Sequence, residues 1–218
     1  MVVSGINFFE VKNNFEETNH IKSIMILESK VKSNPKFTVF IPTYRRVELL
    51  QLSLNSALNQ FGDLDYEVLV VDNNSERNCE TEQLLKTYES EKISYYKNSE
   101  NIGMTGNWNR GFQLAKGEYV CMLHDDDTLK PTYLSDLSRT VEINPEAGLI
   151  SCRIEIASEK NDFTGIRPKL KRKARVLVDS VLKEVTKIGP INYLFGFNTY
   201  IVGSCLKKEL AMDNGGIN

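Results

Sequence analysis

The sequence is poor in residues that usually announce a function. Its 218 residues include 2 His, 4 Cys and 1 Trp. Cys79, Cys121, Cys152 and Cys205 lie far apart with no CxxC pair, so neither a zinc site nor a disulfide frame is expected. They read as reduced thiols of a cytosolic protein. No run of ~18 apolar residues marks a membrane span. No basic stretch followed by an apolar core marks a secretory leader. Internal repeats and low-complexity segments are missing too. A net charge of -2 supplies no general attraction to nucleic acid. Two nucleotide-binding signatures are also absent. The dinucleotide pattern G-x-G-x-x-G does not follow the first expected strand, where Pro42 stands, and there is no P-loop. A phosphotransferase with a nucleophilic aspartate directly after that strand is excluded by the same reading.

What is present is an ordinary globular composition, 41% hydrophobic and 26% charged, in a chain of about one domain. Residues 101–131 organise it: a glycine-punctuated loop, a helix, an apolar run YVCML at 119–123, three aspartates, and a proline-started helix. Short apolar runs between breakers form central strands. Gly117 reads as the end of the preceding helix and Pro131 as the opening of the next. Asp125, Asp126 and Asp127 then lie just past the C-terminal end of a strand, the edge where open α/β sheets bind ligands. Adjacent carboxylates repel. A hard divalent cation, Mg²⁺ or Mn²⁺, with substrate phosphates would compensate them. The alternative is an acidic loop capping the following helix.

Upstream, residues 1–36 are mixed and polar, read as an N-terminal extension or peripheral helix with Ile21, Ile24, Met25 and Val31 on one face. FTVFI at 37–41 predicts a first strand. Val47, Leu50, Leu54, Leu58 and Phe61 recur at helical spacing, and YEVLVV at 66–71 predicts a second strand. A helix near 80–89 and a strand at 93–96 follow. Alternating strands and helices predict a parallel sheet with right-handed crossovers. Polar residues gather at its C-terminal ends: Thr43 and Arg46, then Asp72 and Asn74, then the aspartates.

PTYRR at 42–46, VLVVDNNS at 68–75, NIGMTGNWNRG at 101–111 and HDDDTLKP at 124–131 together resemble a GT-A-fold, family 2 glycosyltransferase of the kind that builds bacterial capsule or O-antigen polysaccharide. The resemblance runs over residues 37–218. It implies an α/β GT-A domain, with 37–130 as the nucleotide-sugar half and 131–218 as a partial acceptor half. Its implied activity is metal-dependent, inverting transfer from a nucleotide-diphospho-sugar, with a UDP-sugar as the expected donor, to a saccharide or lipid-linked acceptor. Pro42, Thr43, Tyr44 and Arg46 would border the nucleotide. Asp72 would hydrogen-bond the base, with Asn74 assisting. Asn101 and Gly103 would shape the loop over the ribose and diphosphate, and Asn107 and Asn109 would face the sugar. Asp125 would stand by the ribose or sugar as well as in the metal set, and Asp126 and Asp127 would hold Mn²⁺ or Mg²⁺.

Two departures accompany the resemblance. Trp108 stands where family members often have Arg, and the family's base follows a Gly-Gly-(Phe/Ile)-x-Glu turn of which this sequence carries Gly215-Gly216-Ile217-Asn218. The base is therefore expected beyond Asn218. A catalytically incomplete donor-binding remnant is the first alternative, and a nucleotidyltransferase the second. Local readings also exist: Asp72 as a turn aspartate, Trp108 as core or a sugar-facing wall, His124 as a packed or hydrogen-bonded histidine in preference to a metal ligand, Gly103 and Gly106 as backbone necessities. The basic run at 167–175 would meet anionic lipid phosphate or stay a solvated loop. The place implied is the cytoplasm, with a peripheral position at the inner face of the membrane as the option that the basic run opens. Residues 148–156 and 200–206 read as strands, and 176–188 as a helix.

Overall fold

A computed structural model describes residues 13–152 and 203–216. The basic run at 167–175, the helix expected over 176–188, residues 153–156 of the strand expected over 148–156 and residues 200–202 of the strand expected over 200–206 lie outside the described residues.

Four parallel strands form the centre: β2 (Phe37–Thr43), β3 (Tyr66–Asp72), β4 (Ile93–Asn98) and β5 (Tyr119–Met122). With β1 (Ser23–Leu27), β6 (Leu149–Ile150) and β7 (Cys205–Lys207) they make a seven-stranded sheet in the order β1-β4-β3-β2-β5-β7-β6. β1 runs antiparallel to β4, and β7 antiparallel to both β5 and β6. The sheet is thus parallel where the strand–helix alternation demanded it and antiparallel toward both edges.

Every residue of β2 and of β3 is buried, as strands covered on both faces must be. Successive side chains then serve two different cores. Val39, Ile41, Val68 and Val70 pack on one face with Leu50 and Leu54 of α1 (Val47–Leu58) and Leu134 and Leu137 of α4 (Tyr133–Ile143). Phe40, Leu69 and Val71 pack on the other with Phe112 of α3 (Gly103–Leu114) and Ala211 of a short terminal helix, α5 (Lys208–Asp213). α2 (Glu80–Lys86) links β3 to β4. Gly111 lets α3 approach closely: a Cβ there would stand 2.1 Å from Phe40 Cζ.

Three local expectations are corrected. The helical face expected between residues 21 and 31 is instead the edge strand β1, registered from Ser23 opposite Asn98. A five-residue run, SIMIL, is too short to show a helical period and gains its structure from β4. The preceding turn is pinned as well. Arg110 of α3 donates to the carbonyls of Thr18 at 2.7 Å and Ile21 at 2.8 Å, and Phe15 enters the second core. Gly117 does not end a helix, since α3 stops at Leu114. It lies against the β2 backbone, where a Cβ would come within 2.6 Å of Phe37 C and Thr38 N. Pro131 likewise precedes α4, which starts at Tyr133 after its N-cap Thr132.

Candidate donor and metal site

β2, β3 and β5 end on the same edge of the sheet, and the polar residues found in sequence lie there. β5 continues one pairing further, with Leu123 N donating to Phe40 O at 2.9 Å, before the chain turns. The acidic turn is held from below by two serines of α1. Ser53 Oγ lies 3.2 Å from His124 O and 2.5 Å from Asp127 O, and Ser56 Oγ accepts from Leu129 N at 3.0 Å. Sequence reading missed both serines, because the polar positions of an amphipathic helix ordinarily face water.

Asp125 is buried and turned toward β2. Thr43 Oγ1 donates to its Oδ2 at 2.9 Å, and Arg46 Nη1 donates to its Oδ1 at 3.3 Å. The same arginine reaches Asp126 Oδ2 at 3.2 Å. Between them Arg45 takes a left-handed backbone (φ 54°), a conformation unusual for a residue with a side chain. Pro42 lies within β2 opposite Val71, and Tyr44 is exposed at the rim.

The carboxyl oxygens of Asp126 and Asp127 and a ring nitrogen of His124 lie within 4.8 Å of one another. This grouping differs from the metal set expected from the triplet, with His124 in the place of Asp125. Burial pushes the Asp127 carboxyl above the usual carboxylate range; the charge of Asp126 adds to this, His124 opposes it and Asp125 adds a little more. His124 is stacked on Trp108 with ring centroids 5.6 Å apart and planes 21° from parallel. It is therefore packed, as expected. Yet its Nε2 is buried without a hydrogen-bond partner, which costs free energy that a cation at the ring would offset. Two carboxylates of raised mutual repulsion beside an unsatisfied imidazole fit a divalent cation.

Asp72, at the end of β3, is enclosed. Its Oδ2 accepts from Lys97 Nζ and Tyr95 Oη, each at 2.9 Å, and its Oδ1 from Asn74 N at 2.8 Å. Asn74 Oδ1 accepts from Glu76 N at 3.2 Å, so this residue shapes its own turn. The hub of the glycine loop is Asn73, which sequence reading passed over. Its amide donates to Asn101 Oδ1 at 2.7 Å and Gly103 O at 3.1 Å, and its oxygen accepts from Ile102 N and Asn98 Nδ2. Asn101 Oδ1 also accepts from Gly103 N at 2.9 Å, and Gly103 needs its glycine for a φ of 73°.

Asn107 and Asn109 are buried on α3. Asn107 donates to Val71 O at 3.0 Å and accepts from Asn98 Nδ2 at 2.8 Å, so it clamps the helix to the sheet. Asn109 lies against Gly216, where a Cβ would stand 2.6 Å from its Oδ1. Both asparagines face inward, a difference from the sugar-facing orientation expected.

Comparison with known proteins agrees with this architecture. A glucosyltransferase of Campylobacter jejuni, named for GalNAc(5)-diNAcBac-PP-undecaprenol, is 37% identical over 105 residues, 47% of this chain and 33% of that protein. The putative colanic acid biosynthesis glycosyl transferase WcaA of Escherichia coli is 30% identical over 105 residues, 48% of this chain and 37% of that protein. The chain thus spans about a third of the length of these relatives. The crystal structure of S. aureus TarS 1-349 with UDP-GlcNAc superposes with a TM-score of 0.59 at 21% identity, covering 82% of this chain and 47% of that one. That likeness shows the fold, a mixed α/β sheet of the GT-A type. The model of Glycosyl transferase family 2 matches residues 38–191, and the chain belongs to that family.

Proposed function

We propose that this chain binds a nucleotide-diphospho-sugar, with UDP as its nucleotide, and is the donor-binding part of an inverting glycosyltransferase. The observation that carries the reading is Asp125, buried and fixed by Thr43 and Arg46 beside Asp126 and Asp127 at the strand ends of a family 2 fold. A carboxylate in that setting is aimed before any ligand arrives, so little ordering cost remains at binding.

Asp126 and Asp127 would hold Mn²⁺ or Mg²⁺, which supplies Lewis-acid stabilisation of the charge left on the departing diphosphate. Thr43 and Arg46 orient Asp125 toward the ribose or sugar, with Tyr44 at the rim of the nucleotide site. The Asn73–Asn101–Gly103 network holds the loop shape that covers the ribose and diphosphate. Asp72, enclosed and bonded to Lys97, Tyr95 and the Asn74 amide, fixes the end of β3 that would face the base. Inversion by a single displacement also requires a group that takes the proton of the acceptor hydroxyl.

The acceptor we propose is a saccharide or a lipid-linked saccharide in bacterial surface polysaccharide assembly, in line with the undecaprenol-linked substrate in the name of the Campylobacter relative. The setting would be the cytoplasmic face of the membrane, with the basic run at 167–175 near anionic phosphate. Among the described residues no helix is long and apolar enough to cross a membrane.

Calorimetric titration of UDP, GDP and dTDP with Mn²⁺, and again with EDTA, tests the reading. Metal-dependent binding of UDP in preference to the others is the expected result, together with its loss in Asp127→Ala. Equal binding with EDTA, or unchanged binding by Asp127→Ala and Asp125→Ala, overturns the site assignment.

A further inference from the structure

Resting on the metal reading above, we infer that His124 is a direct ligand of the bound cation, and that the site consequently takes a first-row transition ion such as Mn²⁺ in preference to Mg²⁺. Three observations carry this. A ring nitrogen of His124 lies within 4.8 Å of carboxyl oxygens of both Asp126 and Asp127, the spread that ligands around one ion require. The Nε2 of that ring is buried and has no partner. The ring itself is fixed by its stack on Trp108 and by the contacts of its backbone, since His124 O accepts from Asp127 N at 3.2 Å and lies 3.2 Å from Ser53 Oγ.

A histidine kept only for packing would satisfy its ring nitrogens with a carbonyl or a hydroxyl, as buried polar groups nearly always do. Here the ring is stacked on Trp108, its Nε2 is buried without a partner, and a ring nitrogen lies near two carboxylates. Asp125, the remaining acid of the turn, is committed to Thr43 and Arg46 and stands outside the group. The local donor set is therefore one imidazole and two carboxylates. Mg²⁺ prefers oxygen and parts with its water reluctantly, whereas nitrogen ligation favours the later divalent ions. One imidazole does not exclude Mg²⁺, but it ranks the ions.

Pulsed electron paramagnetic resonance of Mn²⁺ bound to the protein reads the ligand directly, through modulation by the ¹⁴N nucleus of a coordinated imidazole. His20 is the second of the chain's 2 histidines and serves as the control. The expected result is nitrogen modulation in the native protein and in His20→Gln, and none in His124→Gln. Mn²⁺ affinity, read from the signal of the free ion, should fall at least about tenfold in His124→Gln, the scale found even for outer-shell partners of metal ligands. Mg²⁺ affinity, measured by competition, should change much less. Thermal melts show whether His124→Gln is folded, and Asp126→Asn, which keeps the imidazole, should weaken Mn²⁺ while retaining the nitrogen signal. Bound Mn²⁺ without nitrogen modulation, or modulation that survives in His124→Gln, overturns the role of His124 and leaves the carboxylate site standing. A protein that binds no Mn²⁺ with or without UDP overturns the metal site as a whole.

Discussion

Lys97 and Asp72 form an ion pair of 2.9 Å inside the sheet, with side chains 2% and 0% exposed. The ammonium also contacts Cys79 Sγ at 3.0 Å and Tyr95 Oη at 3.3 Å, so its three protons are all directed to partners. Breaking such a pair from one side leaves a buried charge without compensation, at a cost of about 3–5 kcal/mol. Lys97→Met should lower stability by that amount in urea denaturation. Adding Asp72→Asn should recover part of the loss. A loss under 1 kcal/mol, a threshold set well below about 3 kcal/mol, would mean that water reaches Asp72.

Thr43 contributes through Asp125. Removing a hydrogen bond to a charged group costs about 1.5–3 kcal/mol, and each 1.4 kcal/mol is about tenfold in affinity. Thr43→Val is nearly the same size, so metal-dependent UDP binding should weaken by about tenfold or more with the fold kept. Calorimetry with Mn²⁺ present checks this. Unchanged affinity would separate Asp125 from the donor.

The contact between Gly111 and Phe40 is tight enough that no methyl group fits, since all three of its nearest atoms are of the Phe40 ring, at 2.1 to 2.4 Å from an added Cβ. Gly111→Ala should gain helix propensity yet destabilise the protein by about 1–3 kcal/mol through overpacking. A thermal melt showing the alanine variant equal to or above the native protein would mean that α3 slides freely over the sheet.

Glu82 makes the fold sensitive to acid. Its carboxyl is held down from 4.5 to about 2, first by the hydrogen bond from Arg77, against the opposing effect of burial, and then by Lys86 and the Asn78 amide. A carboxylate whose folded value lies below its unfolded one stabilises the protein above the unfolded value. That contribution should fade as pH falls from about 4.5 to about 2. Glu82→Gln, with no charge to lose, should show a flatter stability profile over this window in melts at graded pH.

How much of this was legible before the structure follows from where each residue finds its partners. FTVFI and YEVLVV are continuous apolar runs because both faces of β2 and β3 are covered, and nothing distant is needed to read them. The aspartates announced themselves by mutual repulsion at the end of YVCML. β1 was not readable, since SIMIL becomes a strand only through Tyr95–Asn98, far along the chain. Asn73 escaped notice for a related reason: an asparagine in a turn has local bonds open to it, and its partners Asn98, Asn101, Ile102 and Gly103 are set by folding. The inward orientation of Asn107 is similarly a property of how α3 lies on Val71. His124 was read as packed, and packed it is; the buried nitrogen left over could be seen only with its neighbours in place.

β7 joins the sheet between β5 and β6, although it is the last of the seven strands along the chain. On the ribosome, β5 must therefore wait with one bare edge while the residues up to 207 are made, and among the described strands β6 has no neighbour until then. A bare edge flanked by Val120 and Met122 is a template for any passing strand. Newly synthesised chains are thus most exposed to mispairing in one definite interval of translation, and that interval is where holding factors, slow codons or a low growth temperature would most raise the yield of soluble protein.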